Sequence, residues 1–229
     1  MCFSAEASFV GAGVVGAVGV ATLTQVRRPH QVLLAALPLG FAAHQALEGV
    51  TWLELDGATD AVLRGWGVHL WVLFAWALLP TWVPVGVRLI EPDARRRRRM
   101  VPLVVVGGVL SAFMVTQALD PGIAVGVVGG ELDYHLPLDI GIWLATPYVL
   151  ATCSTPILSS HRWVRIFGVG NVMALTAAAI LEAADFSSIW CTFAAFLSAL
   201  LLVHFATEAR QPDRPVDDPD PRPQPTGSA

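Results

Sequence analysis

Seven long apolar runs, each closed by charge, proline or glycine, constrain this chain more than any other feature. They cover roughly residues 7–25, 31–53, 66–89, 100–119, 140–159, 163–183 and 187–207. A helix needs about 20 mostly apolar residues to cross about 30 Å of hydrocarbon, and backbone at that depth must satisfy its own hydrogen bonds. The expected fold is therefore all-α: a polytopic membrane bundle of about seven transmembrane helices, occupying residues 1–207. With 55% hydrophobic and 14% charged residues, the chain is too apolar for a soluble domain, where about 25% are charged.

The first run gives the weakest signal, being short and rich in Gly and Ala. Its Gly11, Ala12, Gly13, Gly16, Ala17 and Gly19 form a small-residue surface that lets a neighbouring helix approach closely. Without it six spans would remain, and the other helices would keep their orientation. No basic segment or small-residue cleavage site marks a signal peptide, so this run is expected to stay in the protein.

Orientation follows from arginine. With seven spans, every arginine except Arg64 falls in the loops on one side or in the tail: Arg27, Arg28, Arg88, Arg95 to Arg99, Arg162, Arg165, Arg210, Arg214 and Arg222. Basic loops face the cytoplasm. The N-terminus is then outside and the C-terminus cytoplasmic, in the plasma membrane. The Arg95–Arg99 run serves as a topology determinant, with anionic lipid headgroups as its natural contact. Trp52, Trp66, Trp143, Trp163 and Trp190 lie near span ends, where interfacial anchors sit. Residues 208–229 are rich in Pro, Asp and Arg and lack the apolar side chains to build a core, so a disordered tail is expected.

Several functions are excluded. A net charge of −4 argues against nucleic acid as a partner. The chain has no lysine, so it cannot form a retinal-type Schiff base. Cys2, Cys153 and Cys191 are too few and too scattered for a disulfide framework or zinc finger.

Ionisable groups inside spans are costly and by default face the bundle interior. His44 and Glu48 stand four apart on the second span, hence on one face, with Phe41, Gln45 and Trp52 beside them. His69 lies near the outer end of the third span. On the sixth, Asn171, Leu175, Ala178, Glu182 and Asp185 make one stripe. The seventh opens with Ser187, Ser188 and Trp190, with Cys191 one turn on from Ser187. Cys2, Ser4 and Glu6 enter from the same side, as does a loop carrying Glu131, Asp133, Tyr134 and His135. The expensive polar groups thus converge on the outer third, while the inner half offers mainly Asn171, His204 and hydroxyls. His204 reads as interfacial, and His30 and His161 as basic surface residues beside arginines.

Imidazoles, carboxylates and a thiolate suit a transition metal, zinc above all. His44, Glu48, His69 and Glu182 are the candidate ligands, with Glu48 or Glu182 as general base. Cys2 becomes a nucleophile or an amine–thiolate chelate if Met1 is trimmed. Ser4, Glu6, Gln45, Trp52, His135, Ser187 and Cys191 complete the expected pocket. The opposing interpretation is interhelical hydrogen bonding with no ligand.

The opening Met1-Cys2-Phe3-Ser4-Ala5-Glu6-Ala7-Ser8-Phe9 and the stretch His44-Gln45-Ala46-Leu47-Glu48-Gly49-Val50-Thr51-Trp52 resemble a bacterial multi-pass membrane family of unknown function. Ser187-Ser188-Ile189-Trp190-Cys191 looks like a further family feature. That resemblance supports the architecture over residues 1–207 and names no reaction. The seven-span count is also similar to that of intramembrane metal hydrolases such as alkaline ceramidases. Those use three histidines, two of them four apart on the last helix. Here the last span has His204 alone, so the likeness stops at the fold.

The expected function is a membrane protein whose outward-facing polar pocket binds a metal ion or small polar ligand. As an enzyme it would suit hydrolysis of a small or lipid-like substrate by metal-activated water. The rivals are a receptor, a carrier, a haem- or quinone-binding module with His44 and His69 as axial ligands, and a purely structural bundle. A carrier is disfavoured by the absence of an internal repeat.

Overall fold

The computed structural model describes residues 4–57, 65–128, 131–136, 141–181 and 186–210. Most of it is helical. In order come α1 (Ala5–Thr24), α2 (Pro29–Leu55), α3 (Trp66–Ile90), α4 (Ala94–Ala118), β1 (Ala124–Val128), β2 (Glu131–His135), α5 (Ile142–Leu158) and α6 (Arg162–Leu181). The last rod, α7, runs as Phe186–Leu197 and Ala199–Arg210, so helix continues past residue 207 through Glu208.

Six of these helices are long and apolar enough to cross a membrane: α1, α2, α3, α4, α6 and α7. The first run, weakest in sequence, forms a full 20-residue helix. The shorter one is α5, interrupted by Pro147 and by a π-helical turn at Leu150–Ser154, just before Pro156.

Small residues set the packing of α1 on α2. Phe9 lies against Gly49, Gly16 against Ala42 and Gly19 against Leu39. Rising numbers on one helix meet falling numbers on the other, so the pair is antiparallel. A Cβ at Gly49 would come within 3.0 Å of the Phe9 ring. The start of α1 therefore lies beside the end of α2.

A π-helical turn also interrupts α3, at Leu73–Leu78. Pro80 has no N–H to offer the carbonyl four residues back, and Leu79 N–H instead reaches Phe74, five residues back. Such bulges frequently accompany functional sites. Tyr148 of α5 donates its hydroxyl to the Ala75 carbonyl in that turn, at 2.6 Å. Gly107 of α4 lies against Pro80, where a Cβ would collide with the Pro80 carbonyl.

The segment expected as a plain outer loop contains an antiparallel hairpin, with Ala124 opposite His135 and Val128 opposite Glu131. Ala124–Val128 carries three β-branched valines in five residues, which suits a strand. Leu132 buries with Ala5 and Trp52, and Tyr134 stacks on Trp71 at 3.8 Å, 12° from parallel. One end of the bundle thus gathers the start of α1, the end of α2 and the hairpin. At the other end, Arg96 donates to the carbonyls of Leu158 and Ser159 at 2.9 and 3.3 Å. The tryptophans divide: Trp66 and Trp143 are exposed, as anchors would be, whereas Trp52 and Trp190 pack inward.

Candidate functional site

The centre of interest is one turn of α2. His44, Gln45 and Glu48 are 1%, 2% and 1% exposed. Their spacing places them on the inward face that Phe41, Ala42, Gly49 and Trp52 also occupy. The His44 ring stacks on Phe74 (centroids 4.8 Å, 27°) and tilts against Trp71 at 5.0 Å. Gln45 turns the other way, into a narrow gap lined by Gly11 and Val15 of α1 and by Thr192, Ala195 and Phe196 of α7.

Both ring nitrogens of His44 and both amide atoms of Gln45 are buried with no hydrogen-bond partner among the described residues. A buried donor or acceptor left without a partner costs about 1–3 kcal/mol. Four such atoms on adjacent residues form a concentrated demand for a polar contact.

The structure brings only part of the expected constellation here. His69 sits two residues before Trp71 on α3, and residues two apart on a helix do not face each other. Its Nδ1 is 2.8 Å from the Ala118 carbonyl of α4, and its ring lies beside Trp66. The His44–His69 pairing imagined for haem is therefore not formed. Ser4 caps α1 by accepting from the Ala7 N–H at 3.2 Å, and Glu6 is exposed on that first turn. Trp52 belongs to the small cluster with Ala5 and Leu132. His135 projects from the hairpin, 62% exposed, 3.3 Å from Asp133. Ser187 falls in the first turn of α7. Cys2, Glu182 and Asp185 lie outside the described residues.

Cys191 lines an internal cavity of about 30 Å³ with Phe41, Tyr148, Thr152, Cys153 and Asn171. That is room for roughly two waters. Its polar wall is largely self-satisfied. Thr152 donates to the Tyr148 carbonyl at 2.8 Å, and Asn171 to the Phe167 carbonyl at 2.8 Å. Phe41, one turn before His44 and Gln45, separates this cavity from the polar turn.

A second polar cluster lies at the opposite, arginine-bearing end, and the sequence reading missed it. His161 Nδ1 is 3.1 Å from Glu208 Oε1, and His204 Nε2 is 3.8 Å from Glu208 Oε2. Beside it Glu91, just beyond α3, accepts from the Ser160 N–H at 2.8 Å, the Ser159 hydroxyl at 3.0 Å and the Asp93 N–H at 3.2 Å. Burial pushes the Glu91 carboxyl up, but the bonds from Ser160, Asp93 and Ser159 outweigh it and hold the group below its ordinary value. The signal available in sequence was the four-residue spacing of His204 and Glu208. His161 joins them only through the fold.

A family described as "Family of unknown function (DUF6629)" matches residues 1–216. The chain belongs to that family. No curated protein and no solved structure matches it. The DUF6629 match spans both polar clusters, the α2 turn and the His161–His204–Glu208 group, and reaches beyond the end of α7. DUF6629 membership names no reaction, so the chemistry rests on these side chains.

Proposed function

We propose that this is a seven-span protein of the plasma membrane whose α2 turn binds a small polar ligand or a metal ion. In this reading the N-terminus is outside, the C-terminus is cytoplasmic, and the hairpin lies over the outer mouth of the bundle. The basic loops support that orientation: Arg96 and its neighbours lie at the end opposite the hairpin. The observation that carries the proposal is that the ring nitrogens of His44 and the amide atoms of Gln45 are buried with no hydrogen-bond partner among the described residues.

The occupant would bond a His44 imidazole nitrogen, with Glu48 one turn further along the same helix supplying a carboxylate, while the Gln45 amide faces the separate gap toward α1 and α7. A small polar molecule needs nothing more. A zinc ion would draw on His44 and Glu48 and need a further ligand, for which Cys2 and Glu182 are the candidates. Glu48 would then serve as general base toward a bound water, in hydrolysis of a small or lipid-like substrate.

The test is elemental analysis and native mass spectrometry of the purified protein beside His44→Ala. One stoichiometric metal or small molecule, lost in the variant, supports the proposal. An identical content in both proteins overturns it. A purely structural role is favoured by the ring stacking of His44 on Phe74 and Trp71. It requires that His44→Leu with Glu48→Leu leave cellular function intact.

A further inference from the structure

His161, His204 and Glu208 bring two imidazoles and a carboxylate together at the arginine-bearing end of the bundle. We infer that they form a divalent transition-metal site, zinc by its chemistry, separate from the α2 turn. One ligand atom from each of the three lies within 4.8 Å of the others. A tetrahedral ion with bonds of about 2.0–2.1 Å spaces its ligands about 3.3–3.5 Å apart. The two separations, 3.1 Å for His161–Glu208 and 3.8 Å for His204–Glu208, straddle that range. Small side-chain rotations close the rest.

The surroundings orient each group. His161 Nε2 lies 3.1 Å from the Ile90 carbonyl. A proton on Nε2 donates there and leaves the Nδ1 lone pair directed at Glu208, which is how metal-bound histidines are typically held. Gln31 donates from Nε2 to Glu208 Oε2 at 3.4 Å, fixing the carboxylate from the start of α2. His204 is 2% exposed, and its Nε2 has no hydrogen-bond partner among the described residues. At 3.8 Å from Glu208 it is beyond hydrogen-bond reach, and an ion between the three groups would satisfy it. The two rings, with centroids 4.7 Å apart and 59° between planes, converge on Glu208 rather than stack in parallel.

The donor set excludes the main alternatives. Nitrogen and oxygen ligands without thiolate suit zinc better than copper(I), and two imidazoles disfavour magnesium or calcium. Three protein ligands leave a fourth position for water, the arrangement of a catalytic rather than a closed structural zinc. The partly exposed Glu208 and His161 side chains, 34% and 18% accessible, give the ion a way in. The bland rival is a clasp in which protonated His161 donates to both Ile90 and Glu208 and no ion is held.

The experiment uses full-length protein in detergent, stripped with a chelator and titrated with Zn²⁺ alone, then with Co²⁺ as a coloured substitute. Glu208→Gln keeps the shape and a bond to Gln31 but loses the anionic ligand. His161→Ala removes a partly exposed ring at the end of the bundle. Wild type should hold one equivalent of Zn²⁺ that is retained in His44→Ala, and give the intense visible absorption of four-coordinate cobalt. Both variants should bind at least 100-fold more weakly and lose that absorption, while His44→Ala keeps it. No Zn²⁺ uptake by wild type, or equal uptake by Glu208→Gln, overturns the assignment. So does a cobalt absorption that is abolished by His44→Ala and unchanged in Glu208→Gln.

Discussion

Tyr148 and Ala75 join the interrupted turns of two helices: the phenol of α5 donates to a carbonyl inside the π-helical turn of α3 at 2.6 Å. Two residues after Tyr148, α5 enters a π-helical turn of its own. The bond therefore fixes the register of α3 and α5 around the central cavity that Tyr148 helps to line.

Removing that donor should loosen the pair without emptying space. Tyr148→Phe leaves the Ala75 carbonyl buried without its phenol partner. Interhelical bonds in membranes average about 0.6 kcal/mol, with larger values where a buried group is orphaned. The expected loss is about 1 kcal/mol, read as a lower unfolding midpoint in detergent. An unchanged midpoint would show that another group satisfies the turn.

Glycine substitutions should separate sharply by position. At Gly107 an added methyl would strike the Pro80 carbonyl, so Gly107→Ala must push α3 and α4 apart. Overpacking of that kind costs about 1–3 kcal/mol or more. At Gly13 nothing lies within 4 Å of the new Cβ, and Gly13→Ala should be neutral or stabilising by up to about 1 kcal/mol. Thermal melts of the two variants side by side check the ranking.

Glu91 gives the protein an acid-sensitive component. Its folded pKa is held below the ordinary 4.5, so the unfolded chain takes up a proton at higher pH than the folded one. The stability from its bonds is fully present above 4.5 and is lost as pH falls through the folded value. Melts between pH 7 and pH 3 should steepen at the acid end in wild type. Glu91→Gln should flatten that slope and lower stability at neutral pH.

Exposed members of the expected pocket should prove dispensable. Glu6 is fully exposed, and His135 is mostly exposed, with Asp133 as its ionic neighbour. Surface pairs contribute about 0–1 kcal/mol. Glu6→Gln and His135→Ala are expected to leave unfolding midpoints and bound content unchanged within error, measured beside His44→Ala.

Helices, and the inward face of α2, were legible in the sequence because both follow from local periodicity. Apolar length identifies a membrane helix, and a four-residue spacing places His44 and Glu48 together. On α6, the expected stripe is inward at Asn171 and Ala178. Partners were not legible. His69 looked like a free ligand but meets a backbone carbonyl, and any carbonyl in the chain could have been that one. The hairpin was obscured because five-residue strands with glycine carry little periodic signal. His161 and His204 are distant in sequence and meet only when the α5–α6 loop folds onto the end of α7. Arginines beside His161 made it look like a surface residue, and Glu208 seemed to begin the tail.

An experimental map of the purified protein in lipid, at a resolution that shows ordered waters and ions, addresses the α2 turn without intermediaries. Density not belonging to the chain should lie about 2.7–3.2 Å from a His44 ring nitrogen for a polar molecule, or about 2.0–2.1 Å from the imidazole for zinc. A turn in which His44 and Gln45 touch only apolar side chains, with no such density, would contradict the proposed binding site.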